Sequence, residues 1–245
     1  MERNEIIEFV DKIDSVDGVK LAVMGGVNHE EGETLYNLAR NCTGKGVIVE
    51  IGSWKGESAI WLGHGSKKGN KVRIYAVDPH TGSPEHREKW GKVWTFDEFK
   101  KNIATTKVDD IITPILKTSE EAAKTFDKPV ELIFIDGNHD YNFVKSDFEL
   151  WFPKVVEGGV MSFHDSILHE GPRRVVEEYV YKSSHFRNVR ISSAITYAEK
   201  VRQNSLKDKV VNRYALLVKR IYRIGGALPI PEPIKALGRK VIRIR

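Results

Sequence analysis

Acidic residues stand where short apolar runs end. Glu50 closes Val47-Ile48-Val49, Asp78 follows Ala76-Val77, Asp136 follows Phe134-Ile135, and His164-Asp165 follows Ser162-Phe163. Carboxylates so placed can accept hydrogen bonds from hydroxyls, hold a cation or take a proton. Asp136 is followed three residues later by His139, an imidazole that titrates near pH 6.5 when unperturbed. Gly52 and Gly56 lie just after Glu50 in Gly52-Ser53-Trp54-Lys55-Gly56-Glu57-Ser58. This is strand, tight turn and helix start, which lets backbone approach a nucleotide-like ligand closely. The spacing is not the G-x-G-x-x-G of a dinucleotide loop.

The elements that must position these residues alternate. Strand-like runs occur at Val47–Ile51, Val72–Val77, Ile111–Leu116, Val130–Ile135 and Gly159–Phe163. Helical patterns fall at about 56–64, 95–105, 119–126, 142–152 and 171–182. Thr95-Phe96-Asp97-Glu98 and Thr118-Ser119-Glu120-Glu121 both read as capping boxes, and Phe96, Phe99 and Ile103 share one helical face. Gly158-Gly159 is expected to break the chain before the fifth strand. Val189–Ser192 and Ala194–Ala198 read as two more strands, antiparallel to each other. Alternating β and α elements imply a parallel sheet covered by helices on both faces. Ligands of such sheets bind beyond the carboxyl ends of the strands, where four of the first five strands here carry Asp or Glu.

Composition sets bounds. The 245 residues are 40% hydrophobic and 30% charged, in keeping with one α/β domain that has a sizeable core. One cysteine, Cys42, excludes an intramolecular disulfide and a multi-cysteine zinc site. The N-terminus has no basic-then-apolar signal pattern, so a cytoplasmic location is expected. The net charge of +5 is unevenly spread. Residues 201–245 hold 12 Lys/Arg against 2 Asp/Glu, whereas the rest is net −5, so no nucleic-acid partner is expected for the core.

Four segments carry a family resemblance: Val49-Glu50-Ile51-Gly52-Ser53-Trp54-Lys55-Gly56-Glu57-Ser58, Ala76-Val77-Asp78-Pro79, Phe134-Ile135-Asp136-Gly137-Asn138-His139-Asp140-Tyr141 and Gly158-Gly159-Val160-Met161-Ser162-Phe163-His164-Asp165. Over about residues 25–200 the chain resembles class I S-adenosylmethionine-dependent methyltransferases. It is most similar there to the macrocin O-methyltransferase and cephalosporin-hydroxylase-like group. The resemblance implies a doubly wound, mostly parallel seven-stranded Rossmann-like sheet, in the order 3-2-1-4-5-7-6 with the last-inserted strand antiparallel. It implies S-adenosyl-L-methionine as cofactor. Glu50, Gly52, Ser53, Gly56 and Ser58 would hold its methionine end, and Asp78 its ribose hydroxyls. Thr118 and Ser119 would lie near the adenine, with Asp136 also in the cofactor set. A ribose diol offers two donors, which one carboxylate can accept.

The same topology makes the ends of the fourth and fifth strands neighbours, about 4.8 Å apart, so Asp136 and Asp165 could share a divalent cation, magnesium first. Related sugar and catechol methyltransferases hold a metal in this region. His164 departs from the commoner acidic residue there. Alternation sends it and Asp165 to opposite faces unless the strand bends, so Asp165 is the expected ligand and His164 stays open. His139 is the first candidate base and Asp136 the second. His80, His86, Trp90 and Trp94 are candidates for an acceptor pocket.

The expected organisation is a helical cover over 1–44, the cofactor domain over 45–200 and a basic amphipathic extension over 201–245, with Gly225-Gly226 and Pro229, Pro231 and Pro233 breaking its helix. The expected activity is metal-assisted O-methylation of a small molecule or glycan. Two alternatives stay open: a nucleotide-cofactor oxidoreductase, and a noncatalytic scaffold. Contact with a membrane surface through 207–245, packing on the domain itself or on a partner subunit of a homo-oligomer, and nucleic-acid binding are open for the extension.

Overall fold

The computed structural model describes residues 1–13, 15–16, 19–20 and 26–227. Met24, Gly25, the three prolines and the basic-apolar run 234–245 lie outside them. The chain begins with α1 (Arg3–Ile13), the antiparallel two-residue strands β1 (Ser15–Val16) and β2 (Val19–Lys20), and α2 (His29–Arg40). There follow β3 (Val47–Ile51), α3 (Glu57–Lys68), β4 (Ile74–Val77), α4 (Pro84–Trp90), α5 (Phe96–Thr105), β5 (Ile112–Ile115) and α6 (Ser119–Thr125). The second half holds β6 (Val130–Ile135), α7 (Tyr141–Trp151), β7 (Val155–Phe163), α8 (Glu170–Val175) running into a π-helical turn at Val176–Tyr181, β8 (Phe186–Ser192), β9 (Ile195–Lys200) and α9 (Leu206–Ala227).

Seven strands form one sheet in the order β5-β4-β3-β6-β7-β9-β8. β3 through β7 are parallel, and β9 runs antiparallel to both neighbours. Numbered within the sheet, this is the 3-2-1-4-5-7-6 order that the resemblance implied. Alternate side chains of one strand feed opposite cores. Ile48 joins α1, α2, α3 and α5 through Ile6, Leu35, Ile60 and Phe99, while Val49 joins α6, α7, α8 and α9 through Ala122, Phe148, Val175 and Leu216. Every residue of β6 is buried, as a central strand covered on both faces requires. Its one charged residue, Glu131, accepts hydrogen bonds from the Thr43, Gly44 and Gly46 amides.

Three local expectations are corrected. Thr95 makes no capping bond at α5; its hydroxyl meets His80 Nδ1 at 2.9 Å instead. Gly158-Gly159 does not precede the fifth strand but lies inside it, with Gly158 at φ +80° and a register irregularity against β6. A glycine in a strand marks such a bulge as readily as an end. Gly225-Gly226 does not break the last helix, which runs to Ala227.

Candidate active site

The carboxyl edge of the sheet begins at the turn after β3. Gly52 has φ +87°, and a Cβ there would fall 2.1 Å from the Asp136 carbonyl oxygen. Only glycine fits both the dihedral and the approach. The turn is thus pressed against the end of β6. Gly56, at φ +96°, starts α3 without a side-chain cap. Glu50 is fully buried and neither carboxylate oxygen has a hydrogen-bond partner; Ser53 Oγ is likewise buried without one. Burial pushes the Glu50 carboxyl up to about 7, against the pull of the nearby Ser53 and Ser58 hydroxyls and with some help from Asp136 and Asp78. A buried carboxylate without donors is costly unless a ligand supplies them.

Asp78 ties two loops to this turn. Its Oδ2 accepts from Trp54 N at 2.7 Å and its Oδ1 from His80 N at 2.6 Å. Each oxygen keeps a second lone pair for a further donor. Thr118 caps α6: its hydroxyl accepts from Glu121 N, and Glu121 accepts from Thr118 N. Ser119 Oγ accepts from Trp151 Nε1 at 2.9 Å and its hydroxyl pulls against the rise that burial gives Asp147, whose carboxyl stands at about 6. Thr118→Ala should therefore cost about 1 kcal/mol of stability and leave S-adenosylmethionine affinity within about twofold of the parent by calorimetry. A tenfold loss at unchanged stability would assign the hydroxyl to the cofactor.

At the ends of β6 and β7 a chain of carboxylates and imidazoles converges. His164 is buried, with Nδ1 2.9 Å from Asp136 Oδ1 and 3.5 Å from Asp165 Oδ2. Its Nε2 lies 3.2 Å from Oε2 of Glu31, a buried residue of α2. Burial opposes charge on His164, but the surrounding carboxylates outweigh it and raise its pKa well above the usual imidazole value. Glu31 is held in turn by the Ala194 and Asn28 amides, and burial is outweighed by His164 and these donors, so its pKa falls. Asp165 has φ +50°, which ends the strand abruptly and brings its carboxylate to the same cluster as His164. Its Oδ2 lies 3.1 Å from His139 Nε2 and 3.8 Å from His169 Nε2. The hydrogen bond to Asp165 raises the His139 pKa against the effect of burial.

Among the described residues two trios have donor atoms close enough to hold one cation, Asp136–His164–Asp165 and His139–Asp165–His169. Glu31 and His169 were missed in the sequence. Asn28-x-x-Glu31 is a capping box that could have located α2, since Asn28 caps that helix. Nothing local points Glu31 toward His164.

The acceptor-pocket candidates divide. His80 is fully buried against Phe96 and Phe99 rather than facing the exposed loop. His86 and Trp90 stack with each other and with Trp54 of the glycine turn, ring centroids 4.5–6.4 Å apart. Trp90 and Trp94 are exposed. Cys42 is buried, and burial pushes its thiol up to about 12, leaving an apolar filler rather than a nucleophile.

Residues 49–166 match the family model described as a methyltransferase domain, the span from the glycine turn to the end of the His164-Asp165 strand. The chain carries a methyltransferase domain. An uncharacterised protein of Sinorhizobium fredii is 31% identical over 125 residues, 50% of this chain and 13% of that protein. An uncharacterised protein of Acanthamoeba polyphaga mimivirus is 29% identical over 60% of this chain and 64% of its own length. The chain thus spans less than two thirds of either relative. Among solved structures, the O-methyltransferase NovP aligns over 82% of this chain and 100% of its own, with TM-score 0.65 and 15% identity. TomG of Streptomyces achromogenes, an O-methyltransferase of tomaymycin synthesis solved with S-adenosylmethionine, aligns over 82% and 91%, with TM-score 0.58 and 17% identity. A Bacillus cereus O-methyltransferase solved with S-adenosylhomocysteine aligns over 81% and 90%, with TM-score 0.55 and 18% identity. The methyltransferase domain has the Rossmann-like methyltransferase fold. The three solved structures named here are O-methyltransferases.

Proposed function

We propose that this methyltransferase uses S-adenosylmethionine to methylate a hydroxyl oxygen of a small molecule or sugar, with help from a divalent cation. The observation that carries the reading is Glu50. A buried carboxylate whose oxygens make no hydrogen bond, with only the Ser53 and Ser58 hydroxyls nearby, stands at a glycine turn whose backbone touches the Asp136 strand end. These residues fit the cofactor: Glu50 and Ser53 offer unmatched polar atoms to its amino-acid end, and Asp78 retains acceptor capacity for a ribose. The O-methyltransferase neighbours support an oxygen acceptor. Bound S-adenosylmethionine supplies an electrophilic methyl group on a sulfonium.

The Asp136–His164–Asp165 trio fits a cation as well. One imidazole nitrogen and two carboxylate oxygens surround a common point, and Glu31 faces the other nitrogen of His164. A carboxylate behind a ligating histidine fixes its tautomer and ring orientation. A cation there, magnesium or, given the nitrogen, manganese, would lower the pKa of an acceptor hydroxyl. His139 is positioned by Asp165 to take that proton: with Nε2–H donating to Oδ2, Nδ1 is the basic nitrogen. The hydroxyl oxygen gains the methyl group, its proton goes to His139, and S-adenosylhomocysteine is left. Tritium transfer from labelled S-adenosylmethionine to a panel of hydroxylated acceptors tests this. Chelation should abolish turnover, and magnesium or manganese should restore it. Full turnover under chelation would remove the cation and leave His139 and Asp165 to work alone.

A further inference from the structure

The described part of the basic extension is α9, and it has two faces. Its inner face packs on the domain. Leu216 enters the core, Asn212 Nδ2 donates to Phe186 O at 2.8 Å, Lys219 lies buried over the Tyr181 ring, and Arg220 pairs with Glu177 at 2.6 Å. These contacts fix how the helix is rotated. Its outer face carries Leu206, Val210, Leu217 and Ile221, which are 80%, 69%, 55% and 59% exposed, with Tyr214 on the same stripe. At 3.6 residues per turn these positions form a narrow apolar line along the helix. Exposed Lys207, Lys209 and Arg213 flank it. The helix has one carboxylate, Asp208, and that is engaged by Ser205 at its N-terminus.

We propose that α9 lays this stripe on an anionic membrane surface. A helix that lies in the interface plane needs an apolar line and basic margins, and no spanning length. No described helix is long and apolar enough to cross a membrane. Charge selects the occupant. A second copy would set the same basic margins against each other. The segment 228–245 carries five Lys/Arg against one Glu, a net charge of the same sign as that of α9. An anionic headgroup layer complements both. Each nearby Lys or Arg adds to its attraction, and the effect fades with salt. The inner contacts with Tyr181 and Glu177 dock the helix beside the turn that continues α8, and Gly171 of α8 packs against the His139 backbone. The helix is therefore linked through α8 to the backbone beside the proposed catalytic cluster.

Co-sedimentation of the full chain with phospholipid vesicles tests the proposal. Vesicles with about 30 mol% phosphatidylglycerol should pellet at least about tenfold more protein than pure phosphatidylcholine, and about 0.5 M salt should release most of it. Leu217→Asp with Ile221→Asp, and separately Lys209→Glu with Arg213→Glu, should each lower the bound fraction about tenfold. All these positions are exposed, so melting temperatures should match the parent. Equal binding of the parent and the Asp pair, or no preference for anionic vesicles, would overturn the proposal. So would a concentration-dependent dimer of the parent that the Asp pair dissolves, because the stripe would then belong to a second copy.

Discussion

Glu50→Gln should weaken S-adenosylmethionine binding about 100-fold and yet stabilise the ligand-free protein at pH 8. Both effects come from one buried group. Hydrogen bonds to a charged partner contribute roughly 1.5–3 kcal/mol each, and an amide replaces the acceptor by a weaker, partly donating one. The stability effect follows from linkage. Burial raises the Glu50 carboxyl from 4.5 to about 7 in the folded protein. A group raised on folding favours the folded state below its unfolded pKa, and that contribution is lost as pH climbs through the folded value. The window therefore runs from about 4.5 to about 7. Above it the parent holds an ionised carboxylate in the core, and Gln removes a penalty of at most about 3 kcal/mol. Below it the two proteins should melt together. Cofactor affinity of the parent should also rise from pH 6 to 8, since binding a cationic ligand favours the ionised form and releases a proton. A glutamine variant that binds the cofactor normally would show that Glu50 is a structural residue.

Asp136→Ala should reduce turnover by at least about 10³-fold with cofactor affinity kept within about threefold. Asp136 joins the proposed cation site and charges the surroundings of His139, so its loss removes two contributions to the same step. The fold should survive. The Asp136 side chain is still 12% exposed, and His164 keeps Glu31 as partner when Asp136 is truncated. Asp136→Asn separates charge from volume and should fall almost as far. Steady-state rates beside a calorimetric titration distinguish loss of chemistry from loss of binding. Near-normal rates in either variant would remove the cation and most of the case for His139.

Much of this edge was legible from spacing. The alternation of elements, the Glu50–Gly56 turn and the acidic strand ends are local patterns, whereas the sheet order followed only from the family resemblance. What was hidden depends on tertiary packing. Glu31 is 133 residues from His164 and meets it only because α2 lies across the strand ends. His80 read as a pocket residue because polar loops usually face water, but Phe96 and Phe99 enclose it and Thr95 leaves its cap to satisfy Nδ1. The orientation of Asp165 needed a backbone φ of +50°, which no side-chain alternation foretells. Gly158-Gly159 shows the converse error, because a bulge and a strand end carry the same residues.

The most direct test is a calorimetric titration of the ligand-free protein with S-adenosylmethionine and with S-adenosylhomocysteine, each with and without magnesium. The expected result is one saturable site in roughly the micromolar range for both, present without the cation because the proposed cradle consists of Glu50 and the glycine turn and does not include Asp165. Absence of heat with either nucleoside under both conditions would contradict the account at its root.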